Sequence, residues 1–437
     1  MGRHEVTSHA GLELIREYLR GRGFSALVRR AVGRAFPATD FGVAPMLMTL
    51  LGLILIGGRR VWHLRYELSD PVLARFAGLA RLPSSRTVSA WLRRLDGDDV
   101  ERLSGLNTEF VGEELRRTGR RRLTLDVDGS VVSTGLRVEG ARRGFNPHHR
   151  KVPSYYPITA YEAQSGQILR SQNRPGNIHD GKAGVGFIAE LIGQVRRAVG
   201  RACKLEFRMD AAFFRRDVLE LLDREGAEYA IKVPFHPWLH LKEVAGRARW
   251  RRIDDVTSCY DTRLPIRPWD QVRRIVLYRR KVGHETRKNF QLDLFDPACG
   301  HYEYSAIVTN KHVSGRTLWH FYNGRGCHEK AYAELRRGFA FDCVPSLREP
   351  ANAAWQALSV LAFNLARAFQ ADTLAPARNT DRKRRTRRRF ESIHTLRFKL
   401  LGRAAVLLRP AGKTTLHLGR STTVADHFFA VAHAIRA

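Results

Sequence analysis

Three acidic residues of this chain lie on three separate predicted elements. Asp128 closes the alternating run Leu123-Thr-Leu-Asp-Val-Asp128, Asp210 closes Lys204-Leu-Glu-Phe-Arg-Met-Asp210, and Glu329 falls within a helical stretch. Carboxylates gathered from different elements offer the oxygen ligands that hard divalent cations prefer, and leave positions open for water and substrate. That is the donor set for phosphodiester cleavage assisted by two Mg²⁺ ions. In the first run Leu123, Leu125 and Val127 share one strand face while Thr124, Asp126 and Asp128 share the other, so spacing leaves Asp126 and Asp128 as alternatives. Around Glu329, the residues Tyr322, Arg325 and Arg336 recur at helical spacing. At about 100° per residue all four fall within an arc of about 60°, so a helix that begins early enough presents them on one face.

Other chemistry is poorly supported. His148-His149 and His179-Asp180 lack a zinc-site spacing, and imidazole does not suit Mg²⁺. No phosphate-binding Gly-x4-Gly-Lys-Ser/Thr loop occurs. Five cysteines stand singly with no Cys-x2-Cys pair, which points to idle thiols in a reducing compartment.

The charge balance names the partner class. The 437 residues carry 75 Lys and Arg against 43 Asp and Glu, a net charge of +32. Such an excess implies a polyanion, most simply nucleic acid, with an anionic membrane surface as the weaker alternative. At 43% hydrophobic residues the chain buries real cores, so disorder throughout is excluded and two to three domains are expected. The start lacks an apolar signal core, and Val6 breaks the myristoylation pattern, so a cytoplasmic location is expected. Val43 to Ile56 is almost wholly apolar but shorter than the roughly 18 residues that span a bilayer, and reads as a buried helix.

The elements that must position the acids follow from periodicity. Residues 1–118 read as an all-helical, DNA-binding region, in which Ser85 caps a basic helix that Gly97-Asp98-Asp99 ends; that helix either enters a DNA groove or packs on its neighbour. Residues 119–233 alternate as three strands, helix, strand, helix, strand, the order of an RNase H-like α/β domain. Residues 234–304 form a β-rich insertion containing Trp238, Trp250 and Trp269, which serve either as sheet core or as a platform for an unstacked base. Residues 305–372 return to the main sheet with a strand and two helices, and residues 373–437 form a basic tail. Within that tail the run Arg382 to Arg389, including Arg384, Arg385, Arg387 and Arg388, is expected to meet phosphate.

Tyr322-x2-Arg325-x3-Glu329-x6-Arg336 resembles the Tyr-Arg-Glu-Lys signature of bacterial insertion-sequence transposases of the DDE type, with Arg in the final Lys position. Leu125-Asp-Val-Asp128-Gly-Ser, Gly144-Phe-Asn-Pro-His-His-Arg-Lys-Val-Pro-Ser-Tyr-Tyr-Pro157 and Asn173-Arg-Pro-Gly-Asn177 are similar to the branch termed transposase DDE domain group 1. The resemblance covers about Leu123 to Gln370. It implies Asp128, Asp210 and Glu329 as the catalytic, metal-binding triad, and two Mg²⁺ ions per site with Mn²⁺ able to substitute. It also implies Tyr322, Arg325 and Arg336 as contacts to the DNA end. The expected partners are double-stranded DNA, as terminal inverted repeats and target, and a second copy of the chain in the DNA complex. The rival expectation is a transposase-derived DNA-binding protein without catalysis.

Overall fold

The computed structural model describes residues 5–33, 36–144, 151–178, 180–283, 301–379, 386–408, 414–419 and 421–436. A short strand β1 (Glu5–Thr7) precedes helices α1 (Leu12–Gly21), α2 (Phe24–Val32), α3 (Val43–Ile56), α4 (Pro71–Ala77), α5 (Ser85–Leu92) and α6 (Gly97–Arg117). The apolar helix α3 is buried along nearly its whole length, and Pro45 sits in its first turn, where no intrahelical donor is lost. Among the described residues no helix is long and apolar enough to cross a membrane. Two helix boundaries differ from the sequence expectation. Ser84, not Ser85, caps α5 by accepting from Thr87 N at 3.1 Å. Gly97-Asp98-Asp99 opens α6 instead of ending α5, because Asp96 and Asp99 form a reciprocal capping box.

The strands β2 (Arg122–Gly129), β3 (Val132–Ser133), β4 (Ser154–Tyr155), β5 (Ile158–Glu162) and β6 (Gln167–Gln172) follow. Next come α7 (Asp180–Val199), β7 (Lys204–Met209), α8 (Arg216–Arg224) and β8 (Glu228–Val233). In the sheet these lie in the order β6-β5-β2-β7-β8, with β6, β5 and β2 antiparallel and β2, β7 and β8 parallel. This is the RNase H-like arrangement expected from the element order.

After α9 (Leu241–Gly246), the strands β9 (Arg251–Arg252), β10 (Thr257–Ile266), β11 (Gln271–Lys281) and β12 (Tyr302–Thr309) form no separate sheet. They continue the same one as β8-β12-β11-β10-β9, giving nine strands. The long helices α10 (Gly315–Asn323), α11 (Gly326–Phe339) and α12 (Glu349–Thr373) come next. Then follow α13 (Ile393–Leu396), β13 (Ala405–Leu408), β14 (Thr415–Leu418) and α14 (Thr422–Arg436). The end of the chain is therefore folded: β13 pairs with β1 on one side and β14 on the other. One hydrophobic core runs from the N-terminal helices through the sheet to α12 and α14, with Trp355, Phe363 and Phe369 of α12 fully buried in it. A smaller core on the far part of the sheet joins Val276, Tyr278 and Ile307 to Leu318 and Phe321 of α10.

Candidate active site

Strands β2 and β7 run parallel with Asp126 opposite Arg208 and Val127 opposite Met209. The register carries Asp128 and Asp210 to corresponding positions at the ends of adjacent strands, which lie about 4.8 Å apart. The i, i+2 pairs Asp126/Asp128 and Arg208/Asp210 thus face each other. Asp126 has no exposed surface and is clamped by Arg208 through Nε at 2.5 Å and Nη2 at 2.7 Å. Burial pushes its carboxyl pKa up, against the pull of that guanidinium. Asp128 keeps 28% of its side chain exposed. Asp210 accepts from Ala212 N at 3.0 Å, capping the short helical turn after β7.

Helices α10 and α11 face these strand ends. The helix does not begin early enough to carry Tyr322 as well: Tyr322 lies in the last turn of α10, and Arg325 is the N-cap of α11 after the break at Gly324. The break bends the chain over the acids. Arg208 Nη1 donates to the Phe321 carbonyl at 2.8 Å, tying β7 to the end of α10. Tyr322 donates to the Met209 carbonyl at 3.3 Å. Its burial, reinforced by Asp210 and Asp128 and opposed by Arg325, pushes the phenol up to about 12. Arg325 donates to Asp128 Oδ2 at 2.5 Å and lies 3.9 Å from Glu329. Burial alone would lower the pKa of Arg325, but Asp128, Tyr322, Asp210 and Asp126 raise it overall, so it stays charged.

A cavity of about 400 Å³ opens beside Asp128 and is lined also by Glu329, Arg336, Arg337 and Asp342. Arg336 lies 3.9 Å from Asp342. His328 forms the cavity's buried wall: its Nε2 is 2.9 Å from the Thr159 hydroxyl, and its ring stacks on Tyr161. Burial, with the charges of Arg325 and Arg208, depresses its pKa to about 3, so the imidazole is neutral. His328, Thr159 and Asp342 were not singled out in the sequence; for His328 the only available signal is its place beside Glu329.

Asp128, Arg325 and Glu329 are thus brought together, with Asp210 and Tyr322 adjoining. The carboxylates of Asp128, Asp210 and Glu329 do not all approach within 4.8 Å of one another; among the described residues that closeness occurs at His9, Glu67 and Asp70. Both Asp70 oxygens there already accept protein hydrogen bonds, from Thr7, Ser8, Val72 and Leu73, which marks a helix cap. Asp128 and Glu329 line one cavity and Asp210 follows the strand beside Asp128, and carboxylates of this kind are the oxygen donors that divalent metals take.

Two motif pieces meet each other. Gly144 packs against Gly176 so closely that a Cβ would lie 2.3 Å from the Gly176 carbonyl, and Gly176 N donates to Ser154 at 2.9 Å. Asn173 donates to Glu349 of α12 at 2.9 Å.

Arg387 and Arg388 lie elsewhere. Arg387 N donates to the Gln164 carbonyl at the β5–β6 turn, and Arg388 donates to the Ala371 carbonyl. Gln164 accepts from Thr124 N, four residues and about 13 Å along β2 from Asp128. Arg384 and Arg385, with His148, His149 and His179, lie outside the described residues.

The family model for transposase DDE domain group 1 matches residues 2–437. A piggyBac transposase in its synaptic complex with hairpin DNA is similar at TM-score 0.46 and 11% identity, over 83% of this chain and 73% of that one. Mos1 transposase in a paired-end complex with the left transposon end is similar at TM-score 0.18 and 16% identity, over 36% of this chain and 52% of that one. No curated protein sequence matches. Matched over nearly its whole length, the chain belongs to the transposase DDE domain group 1 family: it is a DNA-binding transposase of the DDE type, and its chemistry is divalent-metal-dependent hydrolysis and transesterification of phosphodiesters.

Proposed function

We propose that this transposase cuts and transfers the ends of a bacterial insertion sequence, with Asp128, Asp210 and Glu329 holding two Mg²⁺ ions. The reading rests on one observation above all: Asp128 and Asp210 lie at the ends of neighbouring parallel strands, and Glu329, in the first turn of α11, lines the same cavity as Asp128. When bound, the metal supplies Lewis acidity at the phosphate and lowers the pKa of the attacking hydroxyl. Asp126 serves differently, fixing Arg208 and through it the end of α10.

The cationic groups bind DNA. Arg325 and Arg336 offer planar guanidinium forks for phosphates of the element's end. Tyr322 stays protonated and holds its hydroxyl against β7. The arginine run including Arg384, Arg385, Arg387 and Arg388 serves as a second phosphate contact, remote from the acids. The recognised DNA is the terminal inverted repeat, followed by target. Because two ends must be joined in one reaction, the active form is a homodimer on DNA, working at the bacterial nucleoid.

The test uses a plasmid carrying the gene's own genomic flanks, incubated with full-length protein and either Mg²⁺ or chelator. Cleavage at the flank boundaries that requires metal, and is lost in Asp210→Asn and Asp128→Asn but not in Asp126→Asn, is the expected outcome. DNA binding without any cutting would overturn the catalytic reading, and metal-dependent cutting at scattered positions would replace it with a general nuclease.

A further inference from the structure

The cavity beside the acids is one end of a longer trough. Asp342 lines it and also lines a second cavity of about 470 Å³, which Arg59, Arg60 and Trp62 share. Ser89 and Pro345 line both this second cavity and a third of about 390 Å³ that reaches Arg93, the C-cap of α5. Outside Asp128 and Glu329, the acid of the trough is Asp342, and Arg59 covers it at 2.8 Å while donating to the carbonyls of Arg336 and Arg337. Arg60, Arg93 and Arg337 remain exposed. The lining from the acids to α5 is mixed, with arginines set beside apolar side chains such as Val344, Pro345 and Leu92.

Trp62 lies in the short helical turn Val61–Tyr66, which follows α3. Its side chain is not core: it is 47% exposed, and Tyr66 beside it is 76% exposed. His63 and Tyr66 meet the indole at 79° and 61°, so neither is stacked parallel on it. A large ring left in water amid arginines suits a partner with both phosphates and flat rings. In duplex DNA the base faces are hidden by stacking, whereas an unpaired strand presents them.

We infer that this trough binds an unpaired DNA strand leading away from the catalytic acids, with Trp62 as a stacking platform for its bases and Arg60, Arg337 and Arg93 as phosphate contacts. The inference rests on the transposase reading, which supplies a cut strand beside Asp128. The trough then holds nucleotides freed near the cut, and keeps them apart from the complementary strand.

Fluorescence anisotropy in chelator, with full-length protein and an oligothymidylate of roughly 20 nucleotides or a blunt duplex of equal length, separates the terms. Trp62→Ala is expected to weaken oligothymidylate binding about tenfold and duplex binding less than about twofold, with Trp62→Phe restoring most of the loss. An unchanged affinity for oligothymidylate, or equal losses on both probes, overturns the inference. Equal loss with heparin, a polyanion without bases, also overturns it, since the site would then read charge alone. Melting temperatures of the variants show whether they are folded. If metal-dependent cutting fails but Trp62→Ala loses oligothymidylate selectively, the catalytic reading falls while the strand site stands. If cutting needs Asp210 and Trp62→Ala binds normally, only the strand site falls.

Discussion

In the proposed metal site Arg325 would compete for the ligand oxygens, since it lies 2.5 Å from Asp128 and 3.9 Å from Glu329. Removing its charge is expected to tighten Mn²⁺ binding to the DNA-free protein by about tenfold, because like charges a few ångströms apart repel by a kcal/mol or more. Electron paramagnetic resonance titration of Arg325→Ala reads this directly, and weaker or unchanged binding would show that the guanidinium does not oppose the metal. His328 gives a pH signature. Its folded pKa, about 3, lies below the ordinary 6.5. The unfolded chain therefore protonates first, so this contribution to stability is intact above pH 6.5 and is lost as pH falls toward 3. His328→Gln should flatten the fall of unfolding free energy across that window by up to about 1.4 kcal/mol per pH unit, measured by urea titration. The acids were legible as strand ends and a helix position. Asp126 and Asp128 could not be told apart by spacing, because both share one strand face; the cross-strand register, which puts Arg208 against Asp126, is what favours Asp128 in the proposed site.

Elements carry these residues with differing legibility. Alternation exposed β2, β7 and β8, since their pattern is local, and the order of strands and helices was enough for the RNase H-like core. The return of β12 to the main sheet was legible, but its extension through β11, β10 and β9 was hidden, because it depends on which edge the insertion strands join, and alternation does not say. The start of α11 near Arg325 was legible, but the separate helix α10 that ends with Tyr322 was hidden, since the spacing from Tyr322 to Arg336 suits an unbroken helix equally well. Arg397 shows how such elements are locked together. Its Nε donates to Leu55 O at 2.7 Å, and Nη2 donates to Ile54 O and Gly338 O, each at 2.7 Å. One guanidinium thus satisfies carbonyls at the ends of both α3 and α11, and burial lowers its pKa to about 10. Arg397→Ala should cost about 3 kcal/mol in urea unfolding, with Arg397→Lys recovering little, since one ammonium cannot span the three acceptors. A loss below about 0.5 kcal/mol would show the carbonyls to be satisfied by water.

At the scale of the whole molecule, the excess of +32 predicts the salt response. The logarithm of the DNA affinity should fall against the logarithm of salt concentration with a slope of about −5 or steeper, as six or more neutralised phosphates require. A flat titration would contradict the charge argument. The same scale bears on how the protein is made. Among the described residues strand β1, at residues 5–7, pairs only with β13, at residues 405–408, and Ala10 N donates to Arg403 O at 2.9 Å. Gly11 is pressed so close to Leu400 that a Cβ would lie 2.2 Å from its carbonyl oxygen. On the ribosome the first strand therefore waits, unpaired, until nearly four hundred further residues have been synthesised. A chain arrested before residue 397 lacks this clasp and Arg397 with it, so the fold is sealed only once residues 397–408 have been made.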